Sequence, residues 1–155
     1  MKCPKCGCEK WRKGTASHAI DVDARTFKAE LAANVCGKCG DPIVSHEELG
    51  RFEIAVASQL ARAGAQSGEA IKFMRKAIGL PAADLAALLG VQRWTLSRWE
   101  TGEREAPLAA VATLGTLVLD HAAGRTELVD RLRALAKGPK LAKVVRLHLA
   151  AAVKG

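Results

Sequence analysis

At 155 residues, 49% of them hydrophobic but only 4% aromatic, the chain suits one ordinary domain or two small ones with an Ala- and Leu-rich, helix-favouring interior. Its net charge of +8 is unevenly spread, +2 over residues 1–66 and +6 over 67–155, so the C-terminal half carries a basic surface that is either a solubility device or a phosphate-binding one. No apolar run approaches the roughly 18 residues a membrane span needs, and the opening MKCPKC has no apolar signal segment, so the chain reads as cytoplasmic with no membrane partner.

The first chemistry along the chain is a pair of C-x-x-C-G motifs, Cys3-Pro4-Lys5-Cys6-Gly7 and Cys36-Gly37-Lys38-Cys39-Gly40. Each loop presents two thiolates to one ion, and two loops complete a closed tetrahedron, the donor set of a structural zinc site. Cys3, Cys6, Cys36 and Cys39 are therefore the candidate metal ligands, for one zinc ion per chain. A redox C-x-x-C and a pair of disulfides are the other readings. A cytosolic chain disfavours the second, and no βαβ context supports the first. Four ligands leave no open position, which argues against metal catalysis. Cys8 is left over as a spare thiol, and His18 and His46 read as surface histidines rather than ligands.

Between Cys6 and Cys36 lie 29 residues, too many for a simple zinc ribbon, so the insert should carry its own structure. Phe27, Ala29, Leu31, Ala33 and Val35 alternate with polar neighbours, which predicts a strand over Thr26–Val35. Asp23-Ala24-Arg25 should turn it back on a shorter strand carrying Ile20 and Val22. So small a hairpin has little core of its own, and zinc should supply much of its folding energy.

Ser45-His46-Glu47-Glu48 is a capping box opening a helix to about Arg62, with Leu49, Phe52, Val56 and Leu60 on one face. Residues 63–68 lack periodicity and contain two glycines, which marks a linker. A helix over Glu69–Ile78 should follow, with Ile71, Met74 and Ile78 inward.

Ala82 to Trp99, AADLAALLGVQRWTLSRW, carries the pattern of a helix-turn-helix. Leu85, Leu89, Val91, Leu96 and Trp99 supply the apolar positions, small Ala86 stands where two helices approach, and Gly90 sits at the turn. In the second helix Leu96 and Trp99 point inward, which leaves donors on the opposite side to read a DNA groove. The candidate DNA-binding residues are Gln92, Arg93, Trp94, Thr95, Ser97 and Arg98, with Arg104 in the following loop as a phosphate contact. Pro107 opens an apolar helix to about Ala122, and further helices are expected over Glu127–Ala136 and Lys140–Val153. From residue 131 onward there are seven Lys/Arg and no acid, a face that is either solvated or in contact with phosphate.

The run Ser97-Arg98-Trp99-Glu100-Thr101-Gly102 resembles the end of the Cro/cI-type (XRE) DNA-binding motif, and the resemblance covers about Glu69 to Ala122. It implies a five-helix DNA-binding domain, groove reading by Arg93, Trp94 and Arg98, and pairing of Arg75 with Glu100. Pro81 and Ala82 depart from the family's usual Thr-Gln, which caps the helix and touches phosphate. From Met1 to about Ala123 the organisation is similar to the MqsA/YgiT family of antitoxins and related regulators, with the last 30 residues as an extension. That resemblance implies a zinc domain that binds a small toxin and a helix-turn-helix homodimer that represses its own operon from a palindromic operator.

The expected architecture is mainly α with a small zinc-bound N-terminal β-hairpin. Its expected divisions are a zinc-finger domain over 1–62, a linker over 63–68, a helix-turn-helix domain over 69–123 and a basic helical extension over 124–155. The expected function is sequence-specific binding of double-stranded DNA as a repressor and antitoxin, and not catalysis. The alternative is a stand-alone XRE-type regulator with a structural zinc module and no toxin.

Overall fold

The computed structural model describes residues 1–148. Two twelve-residue strands, β1 (Trp11–Val22) and β2 (Arg25–Cys36), form an antiparallel hairpin, and a short strand β3 (Pro42–Val44) pairs with the end of β2. The sheet order is β1-β2-β3, with Gly14 opposite Ala33, His18 opposite Ala29 and Val35 opposite Pro42. Asp23 and Ala24 alone make the turn, at φ 53° and 55°. Two left-handed residues in a two-residue loop give the turn whose twist matches the strands.

Three details differ from the sequence expectation. Arg25 belongs to β2, opposite Val22, and not to the turn. Strand β1 is as long as β2 because its inner face continues through His18, Ala16 and Gly14, residues too small or polar to register as alternation. Strand β3 has only three residues, too few to show any period.

Six helices follow among the described residues: α1 (His46–Arg62), α2 (Gly68–Ala77), α3 (Ala82–Leu88), α4 (Arg93–Glu100), α5 (Leu108–Ala122) and α6 (Glu127–Ala136). Ser45 caps α1 by accepting the Glu48 N–H at 3.2 Å, as the capping box requires. The Glu48 carboxylate turns instead to Arg51, at 2.6 Å.

One continuous core runs from the hairpin into the helices. It joins Val22 and Leu31 of the sheet, Phe52, Val56 and Leu60 of α1, Ile71 and Met74 of α2, and Leu85, Leu96, Trp99, Leu114 and Val118 beyond. His18 is part of this seam, edge-on to Phe52 with ring centroids 5.9 Å apart, and so is half-buried rather than a surface residue. Loop 63–67 ends at Ser67, which caps α2 through the Ala70 N–H at 3.0 Å. The same hydroxyl donates to the Asp23 carboxylate, while the Asp23 N–H donates to Glu69 at 3.1 Å. The tip of the hairpin is thus clasped to the start of α2.

Gly138, at φ 78°, and Pro139 end α6, and no helix forms over residues 140–148. The helix expected over Lys140–Val153 is corrected to that extent; residues 149–153 lie outside the described residues. Leu141, Val144, Val145 and Leu147 are all exposed there. A short helix with nothing to pack against is marginal in water, which accounts for the difference.

Candidate metal centre and nucleic-acid interface

The two C-x-x-C-G loops fold alike. In the first, the Gly7 N–H donates to the Cys3 carbonyl at 2.8 Å and the Cys3 N–H to the Cys8 carbonyl at 2.9 Å. In the second, the Gly40 N–H donates to the Cys36 carbonyl at 3.0 Å and the Cys36 N–H to the Asp41 carbonyl at 2.9 Å. Both closing glycines are left-handed, Gly7 at φ 71° and Gly40 at φ 74°, which turns each chain back beneath its own sulfurs. A further bond, the Gly37 N–H to the Lys10 carbonyl at 2.9 Å, ties the loops together.

This places four sulfurs in one cluster. Cys3 and Cys39 Sγ lie 3.7 Å apart, Cys6 and Cys36 Sγ 3.6 Å apart, and all four fall within 4.8 Å of one another. A disulfide needs about 2.0 Å, so these are not bridges. Four sulfurs at about 2.3 Å from a central ion would stand about 3.8 Å apart at the corners of a tetrahedron. The donor set and its spacing fit such a metal ion, with no carboxylate or histidine in the group. Cys8 stays outside it, its sulfur accepting the Lys10 N–H at 3.4 Å.

The thiols differ in acidity. The N–H groups of Cys39 and Lys38 aim at the Cys36 sulfur and lower its pKa to about 6. Cys6 accepts the Cys8 N–H, which lowers its pKa, but desolvation and the sulfurs of Cys39, Cys36 and Cys3 outweigh this and push it up to about 12. Cys39 is also raised: the Asp41 N–H opposes the shift, and desolvation with the crowding of Cys36 and Cys3 prevails. A cation at the centre would reverse that crowding, since four thiolates around a positive charge attract it where they repel one another.

The second cluster is on α4. Leu96 and Trp99 are buried, while Gln92, Arg93, Trp94, Ser97 and Arg98 are exposed and border one shallow depression. Thr95 is half-buried and outside that set. Arg104 is exposed in the next loop, its N–H donating to the Arg98 carbonyl at 3.1 Å. Helices α3 and α4 meet through Gly90, left-handed at φ 67°. Behind them Arg75 of α2 holds Glu100 through two bonds and the Leu80 carbonyl through a third, so that α2 fixes the end of α4.

Sequence reasoning missed Glu103, whose carboxylate lies 3.3 Å from Arg98 Nε. It also missed the clasp of Asp23 on Ser67 and Glu69. The first depends on how the chain turns after α4 and the second on the hairpin tip meeting α2, and neither has a local signature.

Among described residues, no helix is long and apolar enough to cross a membrane. No curated protein matches the chain. The family model described as the antitoxin component of bacterial toxin–antitoxin systems, MqsA, matches residues 1–146. The match continues past Ala123 and includes α6, ending at residue 146. The chain belongs to the MqsA family of antitoxin components.

Proposed function

We propose that this antitoxin is a sequence-specific DNA-binding repressor that acts as a homodimer on a palindromic operator, holds one structural zinc ion per chain, and meets its toxin through the cysteine module. The observation that carries the DNA reading is the two-sided α4. Leu96 and Trp99 anchor it in the core, and Gln92, Arg93, Trp94, Ser97 and Arg98 share its open side. Read as a helix-turn-helix, α3 crosses the DNA backbone and α4 enters the major groove. Arg98 then reads guanine through two parallel hydrogen bonds, with Arg93 beside it and Trp94 against a thymine methyl. Gln92, Thr95 and Ser97 complete the helix face, and Arg104 contacts phosphate. A two-fold dimer spaces its half-sites about one helical turn, roughly 34–36 Å, or a multiple apart.

Zinc is the metal that the donor set favours: four soft thiolates in a closed tetrahedron suit it and leave no site for substrate. Cys3, Cys6, Cys36 and Cys39 would hold it, and its work there is to fold the module. The hairpin puts this module at the opposite end from the tip that is clasped to α2, since twelve strand residues span roughly 36 Å at about 3.3 Å per step. That leaves a surface for a protein partner separate from the DNA-reading face.

The test is selection of duplexes from a random-sequence pool by the purified chain. Recovery of a palindromic sequence, and loss of about 1–3 kcal/mol at that site in Arg98→Ala with relaxed preference at one base pair, supports the reading. Selection of no sequence, or equal weakening of selected and scrambled duplexes by Arg98→Ala, overturns the assignment of α4 as the reading helix.

A further inference from the structure

The helix that would cross the DNA backbone is poorly equipped to do so alone. The N-cap of α3 is Pro81, which makes no side-chain hydrogen bond, and its first turn contains Ala82, Ala83 and the acid Asp84. Nothing at that end donates to phosphate from a side chain, and Asp84 repels it. Helix starts and basic side chains ordinarily supply the contacts that set a protein's register on a duplex.

Helix α6 brings cations to this place. Arg133, Ala136 and Lys137 line a cleft with Leu80, Asp84, Ala87 and Leu88, so the basic end of α6 lies against the flank of α3. Arg133 and Lys137, four residues apart, share one face. The turn at Gly138 and Pro139 then places Lys140 on a common depression with both. Arg133 has only a loose carboxylate partner, Asp130 at 4.0 Å, and Lys137 and Lys140 have no ion pair among the described residues. From Arg131 to His148 there are six Lys/Arg and no acid. Arg131, Arg133, Lys137 and Lys140 outnumber the two acids beside them, Asp84 and Asp130, and the excess positive charge raises the local potential, which a polyanion relieves.

We infer that Arg133, Lys137 and Lys140 form a phosphate clamp that grips the DNA backbone beside α3, in place of the donors which α3 lacks. The inference rests on the DNA-binding reading and adds a second contact surface to it, independent of base sequence. In this arrangement α4 selects the sequence while the end of α6 supplies register and affinity.

The test compares the intact chain with Arg133→Ala/Lys137→Ala/Lys140→Ala, using the duplex that the intact chain selects from a random pool and a scrambled duplex, each at several salt concentrations. The clamp predicts nearly equal loss on both duplexes and a salt slope shallower by about 2.7, at about 0.9 per phosphate contact. The charge-keeping variant Arg133→Lys/Lys137→Arg/Lys140→Arg should keep the slope. All three positions are exposed or nearly so, and an unchanged melting temperature confirms an intact fold. An unchanged slope in the alanine variant, with Arg98→Ala still relaxing preference at one base pair, overturns the clamp alone. Failure of the intact chain to select any sequence overturns the DNA reading and the clamp with it.

Discussion

Arg75 and Glu100 form a two-pronged ion pair, Nε to Oε1 at 2.6 Å and Nη2 to Oε2 at 3.0 Å, with each side chain only 9% exposed. The third Arg75 donor reaches the Leu80 carbonyl at 3.0 Å, so one guanidinium joins α2, the loop before α3 and the end of α4. Such a pair adds little net stability, because desolvation offsets its attraction, but breaking it strands a charge. Arg75→Ala should therefore destabilise the fold by about 3–5 kcal/mol, and Arg75→Met/Glu100→Leu should recover much of that loss. Denaturant unfolding of both variants is the check. Equal losses in the two would mean that the pair itself stabilises.

The clasp at the hairpin tip assigns Ser67 two tasks, capping α2 and holding Asp23. Ser67→Ala should cost about 1–2 kcal/mol, the usual loss of a cap, while Ser67→Thr keeps both bonds. Asp23→Ala removes the Ser67 half of the clasp but leaves the cap and the backbone bond from Asp23 to Glu69. Hydrogen exchange at the hairpin tip should then quicken in both Ala variants, with the start of α2 loosened only in Ser67→Ala.

Ala24 occupies a left-handed position, φ 55°, that penalises any side chain. The strain is of the order of 1–2 kcal/mol, and Asp-Gly is a preferred pair for this turn. Ala24→Gly relieves the strain and gives back part of the gain through added freedom in the unfolded chain. A net rise in stability of up to about 1 kcal/mol is expected. A fall would show that the Ala24 methyl makes packing contacts worth more than the strain.

Metal uptake should release protons. In the metal-free cluster Cys36 is already a thiolate near neutrality, lowered to about 6, whereas Cys6, pushed up to about 12, and Cys39, also raised, hold theirs. Binding demands four thiolates, so Cys6 and Cys39 must each give up a proton at pH 7. Bound thiolates have depressed pKa values, so affinity grows with rising pH and is lost as pH falls through the values of the metal-bound state. Calorimetry of zinc uptake in buffers of different ionisation enthalpy counts the protons, and a count of zero would contradict this order of acidity. Cys36→Ser should lower zinc affinity and quicken exchange across β2 and β3 more than across α4.

Much of this architecture was legible because it depends on local chemistry. Ser45 three residues before Glu48 marks a helix start, and Leu96 with Trp99 three residues apart marks the inner side of α4, wherever the rest of the chain goes. The paired C-x-x-C-G loops likewise carry their own geometry. What stayed hidden depends on long-range packing. The length of β1 comes from His18 meeting Phe52, a contact 34 positions apart in the chain. The core shared by hairpin and helices comes from Val22 and Leu31 packing with Phe52, Val56 and Leu60, residues 21 or more positions away, and the bond from Ser67 to Asp23 closes its edge. For residues 140–148 the helical period of Leu141, Val144 and Val145 is present, but no surface covers it. Periodicity states which face would be buried and does not state that anything buries it.

Glu103 should act as a brake on Arg98. Its carboxylate sits 3.3 Å from Arg98 Nε, both side chains well exposed at 61% and 48%. An exposed pair of this kind is worth no more than about 1 kcal/mol, so it does not hold the fold; if α4 reads DNA as proposed, its effect falls on binding. To use Arg98 on guanine, the chain must loosen this pair, and Glu103 then stands as an unpaired anion in the loop that carries Arg104. Neutralising it removes both the competition for the guanidinium and the repulsion from phosphate. Glu103→Gln should tighten binding to selected and scrambled duplexes alike by severalfold at low salt, with the gain fading as salt screens the charge. The same substitution in an Arg98→Ala background separates the two effects. If repulsion dominates, the gain survives without Arg98; if competition for Arg98 dominates, it vanishes. Binding titrations of the four combinations against both duplexes give the coupling directly, and no gain in either background would place Glu103 away from the DNA.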